Sequence, residues 1–97
     1  MFKYLFSRNL EALGNINDVL IAISTSGNSK NIIEVVKKAK KMKIHTIGFL
    51  GTNGGKVFHE LDNAIVVNSN NVARIQEAHI FIGHTILEQV EKLLLTK

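Results

Sequence analysis

The chain has 97 residues, 45% of them hydrophobic and 21% charged, so it can bury the core of one small domain. It has no cysteine, which excludes disulfides and thiolate metal sites and suits a reducing cytosol. The formal charge is +4, and most of the excess sits in one run, KKAKKMK, at Lys37, Lys38, Lys40, Lys41 and Lys43. No aromatics or arginines interleave with these lysines. The run therefore reads as a solvated helix end that complements the helix dipole, rather than as a nucleic-acid patch. No apolar stretch approaches the roughly 20 residues that span a bilayer. The N-terminal MFKYLFSR lacks the continuous apolar region and small-residue cleavage site of a signal peptide.

Residues 1–13 are expected to form a short helix, with Tyr4, Leu5, Leu10 and Leu13 as its apolar positions and Gly14 and Asn15 as its stop. DVLIAIS, residues 18–24, is short, β-branched and apolar at every second position and between. That pattern predicts a strand buried on both faces, as in parallel sheets. From Asn28 to Met42 the period turns helical: Ile32, Ile33, Val35, Val36 and Ala39 make an apolar stripe, and the lysines take the other face. KIHTIGFL (43–50) is a second strand, GTNGG (51–55) a glycine-rich turn, 56–61 a short helix and NAIVVN (63–68) a third strand. After the polar residues 68–71, one long helix runs from Val72 to Leu95. Strand and helix alternate, which predicts an α/β fold: a three-layer α/β/α sandwich on a parallel sheet. A strand as apolar as 18–24 is a poor edge strand. The expectation is that another chain covers it, or that the sequence is part of a larger domain.

The loop ISTSGNSKN (23–31) places four hydroxyls, Ser24, Thr25, Ser26 and Ser29, where the first strand enters the next helix. Ligands of open α/β sheets bind at this carboxyl edge. The free N–H groups of a helix start suit an anion, and phosphate is the natural one. Hydroxyls add donors without bulk, and Gly27 allows a tight turn. A simpler reading makes Ser26 or Asn28 a helix cap, a task for which one side chain suffices. GTNGGK is not a P-loop: it has three residues, not four, between its first glycine and the Gly-Lys pair, and Val57 follows the lysine. It is expected to serve backbone geometry near the same edge. In the last helix Gln76, His79 and His84 interrupt an apolar pattern. His79 lies nearly on the face of Gln76. His84 lies about 80° round from Gln76 and about 12 Å along the axis. The His79–His84 spacing does not suit a metal pair, and His79 reads as a structural residue.

Three stretches, DVLIAISTSGNSKNI, GTNGGK and RIQEAHIFIGHTILEQVE, resemble in this order the sugar isomerase (SIS) domain of the phosphoheptose isomerases, over residues 8–95. The STSGNS loop marks the wider superfamily, and the RIQEAHIFIGH helix is more specific. The resemblance implies a flavodoxin-like SIS fold, of which residues 1–97 are the C-terminal portion of a single domain: an incomplete half with about three strands and a long C-terminal helix. It implies conversion of sedoheptulose 7-phosphate to D-glycero-D-manno-heptose 7-phosphate, for ADP-heptose and lipopolysaccharide core synthesis in the cytoplasm. Ser24, Thr25, Ser26 and Ser29 then bind the phosphate, Gln76 contacts substrate, and His84 is the catalytic acid opposite a glutamate base. Some family members bind zinc, which makes Gln76 and His84 candidate zinc ligands as well. No nucleotide cofactor is implied, nor a nucleic-acid or membrane partner. The family forms homotetramers.

Two departures stand beside the resemblance. The family's upstream segment, with two further strands, another substrate loop and the glutamate, matches nothing here. An acidic residue that precedes RIQE in some members is Ala73 in this chain. Two alternatives therefore accompany the enzyme reading: a non-catalytic SIS module, either a sugar-phosphate binder or a replication-initiation partner, and an inactive truncated fragment. Non-catalytic relatives similar in this helix tend to lack the histidine that His84 matches, which favours the enzyme.

Overall fold

A computed structural model describes residues 2–96; Met1, included in the expected first helix, and Lys97 lie outside the described residues. A 3₁₀ turn at Phe2–Tyr4 leads into α1 (Leu5–Leu13), followed by β1 (Val19–Ser24), α2 (Lys30–Lys41) and β2 (His45–Gly51). A 3₁₀ helix at Lys56–Glu60 precedes β3 (Asn63–Val67), and α3 (Val72–Leu95) closes the order. The strands lie side by side as β1-β2-β3, all parallel. Val19 pairs with His45 and Ser24 with Leu50, while Ile47 pairs with Asn63 and Gly51 with Val67.

Alternation along each strand sends successive side chains to opposite faces. Ala22 and Leu50 face α2 and form the buried core with Val35, Val36 and Val57, lined by Leu10, Leu20, Ile32, Ile33, Leu61, Ala64 and Val66. Phe49 points the other way, and its ring lies 5.9 Å from that of His79 on α3. Helices thus cover both sides of the sheet, and the three-layer α/β expectation holds. The lysines of α2 stay on its solvent side, with Lys38 paired to Glu11 at 2.7 Å and Lys40 to Glu60 at 3.5 Å.

Two expectations need correction. β1 is buried on one face only: Ala22 and Ser24 are buried, whereas Val19 and Ile23 are 57% and 54% exposed. The reason is lateral. α3 packs on β2 and β3 and leaves the corresponding face of β1 open. β1 is moreover an edge strand, paired among the described residues with β2 alone. In α1 the anticipated stripe is also displaced. Tyr4, Leu5 and Leu13 are exposed and Leu10 packs inward, while Ser7 is buried and donates its hydroxyl to the Tyr4 carbonyl at 3.0 Å. A small residue at this point lets α1 approach α2 closely.

At the opposite end of the sheet, Thr46 is fully buried and holds Asp62. Its N–H and hydroxyl donate to Oδ2 of Asp62 at 2.8 and 3.1 Å, and its hydroxyl accepts from the Asp62 N–H at 2.9 Å. The Thr46 N–H, and then its hydroxyl, hold the Asp62 carboxyl below its ordinary value of 3.8. A carboxyl depressed in the fold contributes stability that is complete above the unfolded-state value and is lost as pH falls through the folded one. The urea midpoint is therefore expected to fall below pH ~4. Asp62→Asn should lower the midpoint at neutral pH and flatten that acid decline. Parallel acid profiles for the two proteins would show that Asp62 does not cause it.

Candidate functional site

The site begins where β1 runs out. Ser24 is buried, and its Oγ accepts the Gly27 N–H at 3.0 Å, which bends the chain back on itself. Gly27 takes φ 70°, a left-handed conformation that side chains resist. Ser26 Oγ accepts the Asn28 N–H at 3.1 Å. Ser29 is the N-cap of α2, yet no side chain caps the helix. The simple reading of the loop, with Ser26 or Asn28 as cap, is therefore wrong. Asn28 instead reaches across to the second turn, where its Oδ1 accepts the Lys56 N–H at 2.8 Å. The early N–H groups of α2 are left without a side-chain acceptor, as an anion site requires.

The second glycine turn is the backstop of the first. A Cβ on Gly27 would lie 2.0 Å from the Gly54 carbonyl oxygen, and one on Gly55 would lie 2.2 Å from that of Ser26. The Val57 N–H donates to the Gly27 carbonyl at 3.0 Å, which closes the contact. Gly51 does a similar service for α3, since a Cβ there would meet Ile75 Cδ1 at 2.6 Å.

α3 starts at Asn71, whose Oδ1 accepts the N–H groups of Ala73 and Arg74 at 3.1 and 3.3 Å. Ile75 and His79 are buried, His79 as part of the cleft wall, and Gln76 and His84 line the same cleft. That cleft holds about 800 Å³. The residues singled out from the sequence meet there: Ser24, Thr25, Ser26 and Ser29 from the loop, Gln76 and His84 from α3. Phe6, Ile23, Ile32 and Phe49 supply apolar wall. His79 is buried, with Nε2 2.8 Å from the Leu50 carbonyl oxygen, as suits a structural residue. Sequence reasoning missed the bridging part of Asn28 and the apolar wall. Neither carries a local signal, because both depend on contacts distant in the chain.

The arrangement offers an anion hydroxyls and backbone N–H groups, and presents an imidazole to the same cleft. No carboxylate lines the cleft among the described residues. Zinc can be tested on the donor set. A catalytic zinc takes three protein ligands. Here one amide oxygen of Gln76 and one imidazole nitrogen of His84 are on offer, and no group of three His, Cys, Asp or Glu gathers among the described residues. These residues do not make a zinc site by themselves, and no chemical step is derived through the metal.

Comparison with known proteins identifies the family. The family model described as the SIS domain matches residues 2–51, and the chain belongs to that family. Over 91 residues, 94% of its length, the chain is 50% identical to the phosphoheptose isomerase of Campylobacter concisus, of which that match covers 48%. It is 52% identical over 93 residues to the phosphoheptose isomerase of Clostridium acetobutylicum, covering 96% of this chain and 47% of that one. Among solved structures, phosphoheptose isomerase GmhA from Neisseria gonorrhoeae superposes with a TM-score of 0.89 at 42% identity, over 92% of this chain and 51% of that one. The chain thus spans about half the length of the relatives it matches.

The interlocked turns predict a large effect of one methyl group. Gly27→Ala combines the 2.0 Å clash with a positive φ, and should cost roughly 1–3 kcal/mol or more in urea unfolding. A loss below about 0.5 kcal/mol would show that the turns do not depend on this contact.

Proposed function

We propose that this chain is the sugar-phosphate-binding and acid-bearing part of a phosphoheptose isomerase, the C-terminal portion of a single SIS domain. The observation that carries the reading is the meeting of Ser24, Thr25, Ser26 and Ser29 with Gln76 and His84 around one cleft. The similarity to phosphoheptose isomerases, over nearly the whole chain, supports it. The substrate is sedoheptulose 7-phosphate and the product D-glycero-D-manno-heptose 7-phosphate, for ADP-heptose and lipopolysaccharide core synthesis in the cytoplasm. No helix among the described residues is long and apolar enough to cross a membrane.

In this mechanism the 7-phosphate sits on the uncapped start of α2, held by backbone N–H groups and by the Thr25, Ser26 and Ser29 hydroxyls. Ser24 holds the loop's shape through Gly27. The sugar chain then extends along the cleft toward α3, where the Gln76 amide orients its hydroxyls. Isomerisation removes a proton from C1 and delivers one to C2, while the C2 carbonyl oxygen gains a proton and the C1 hydroxyl loses one. Imidazole can serve the oxygens near neutral pH, and His84 takes that part. The carbon-bound proton needs a carboxylate. None lines the cleft among the described residues, and in this reading the base is the glutamate that the family carries in its upstream segment. Zinc would take Gln76 and His84 as two of its ligands and the rest from the same outside segment. The complete enzyme is a homotetramer in this reading, and the exposed apolar side of α3, including Leu87, Val90 and Leu94, suits burial against a neighbour.

The missing carboxylate favours one second reading for the chain on its own: it binds the sugar phosphate without turning it over. Calorimetry with sedoheptulose 7-phosphate tests binding. Replacing both Ser26 and Ser29 with Ala should weaken affinity about tenfold or more, and His84→Ala should change it by less than about threefold. Fused to the N-terminal half of the Campylobacter concisus relative, the chain should isomerise the sugar, and His84→Ala should lower turnover by about 10²–10⁴. Full turnover in that variant would remove the acid role, and serine variants that bind normally would remove the phosphate site.

A further inference from the structure

His79 is the polar residue of the cleft wall that the proposed reaction leaves unused. It is 4% exposed, and Nε2 lies 2.8 Å from the Leu50 carbonyl oxygen. A carbonyl only accepts, so Nε2 carries a proton. The ring's Nδ1 is buried with no partner among the described residues. For stability alone this is a poor choice. A buried hydrogen bond adds little net stability, whereas an unpaired buried nitrogen costs at least as much. A phenylalanine would keep the contact with Phe49 and remove the unpaired nitrogen, at the loss of the bond to the Leu50 carbonyl.

What the imidazole adds is direction. Of the 24 residues of α3, only Ile75 and His79 are buried. Apolar contact through Ile75 is non-directional and permits rotation and sliding, but a hydrogen bond does not. The acceptor is also well chosen. Leu50 pairs across the sheet with Ser24, and Ser24 holds Gly27 in the loop. His79 lies between the two candidate residues of α3, about 4.5 Å along the axis from Gln76 and about 7.5 Å from His84. Misplacement of a reacting group by about 1 Å can cost on the order of a hundredfold in rate. We propose that His79 is a positioning residue: its Nε2–H bond to the Leu50 carbonyl sets the register and rotation of α3, and thereby holds Gln76 and His84 against the 24–29 loop. The proposal rests on the sugar-phosphate reading of the cleft for its purpose, though not for its geometry.

Three measurements on the chain test it. Long-range proton–nitrogen spectra of the wild type at neutral pH read the ring directly. His79 is expected as the neutral Nε2–H tautomer, and the Nδ1–H tautomer overturns the proposal. Hydrogen exchange then compares His79→Phe, which keeps a ring of similar volume, with His79→Gln, which restores a side-chain N–H donor. His79→Phe should lose protection of amides 76–84 by about tenfold while α2 is unchanged, and His79→Gln should recover most of it. Equal protection in wild type and His79→Phe, or equal loss in both variants, overturns the proposal. Last, inorganic phosphate and sedoheptulose 7-phosphate are titrated into each protein. His79→Phe should bind inorganic phosphate within about twofold of wild type but lose about tenfold of the extra affinity for the sugar phosphate, and an unchanged ratio counts against the proposal. A wild-type chain that binds neither probe removes the sugar-phosphate reading, and tautomer and exchange then decide the part of His79 on their own.

Discussion

Two glycine turns pressed backbone to backbone are the constraint on which the site depends. Gly27 and Gly55 each stand where a Cβ would meet a carbonyl oxygen of the other turn. Hydrophobic burial of Ala22, Val36 and Leu50 stacks the layers, but burial is non-directional and cannot shape a loop. The shape comes from directional contacts: the Gly27 N–H to Ser24, the Val57 N–H to the Gly27 carbonyl, and the Lys56 N–H to Asn28. They leave the Ser29 hydroxyl and the first turn of α2 without internal work. A loop that satisfied itself would have nothing to offer a ligand.

α2 is polarised along its length in a way that suits this use. Four of its five lysines, Lys37, Lys38, Lys40 and Lys41, lie toward the C-terminal end, where cations complement the dipole; the fifth, Lys30, opens the helix, and the 24–29 loop before it carries no charged side chain. The loop's own side chains offer an anion neutral donors, with the exposed Lys30 next along the chain. Such donors need no counter-charge and hold a fixed direction, whereas lysines would act as mobile point charges. The opposite wall is a single helix face, on which Gln76 and His84 stand exposed while the buried ring of His79 forms the wall between them.

Much of the fold was legible from local pattern. The limits of α3 and the order of strands and helices followed from periodicity and from the glycine and asparagine stops. What failed was whatever depended on a distant neighbour. DVLIAIS is apolar on both faces, but Val19 and Ile23 are exposed because α3 lies over β2 and β3 instead. Asn28 has the chemistry of a cap, and its carbonyl is spent on an N–H 28 positions away. The residues of the cleft were singled out partly by loop chemistry and partly by resemblance. Ser24 to Ser29 follow from hydroxyls at a strand end. Gln76 and His84 do not stand out on an apolar helix by composition, and only the family pattern distinguished them from His79.

The strand that delivers the loop is also the outermost of the sheet, with its far edge unpaired among the described residues. Grip at Ser24 and order along that edge are thus properties of one six-residue segment. Thermodynamic linkage makes any such coupling mutual. A backbone paired along the free side of β1 would help order the loop, and whatever orders the loop would by the same linkage make that edge a better template.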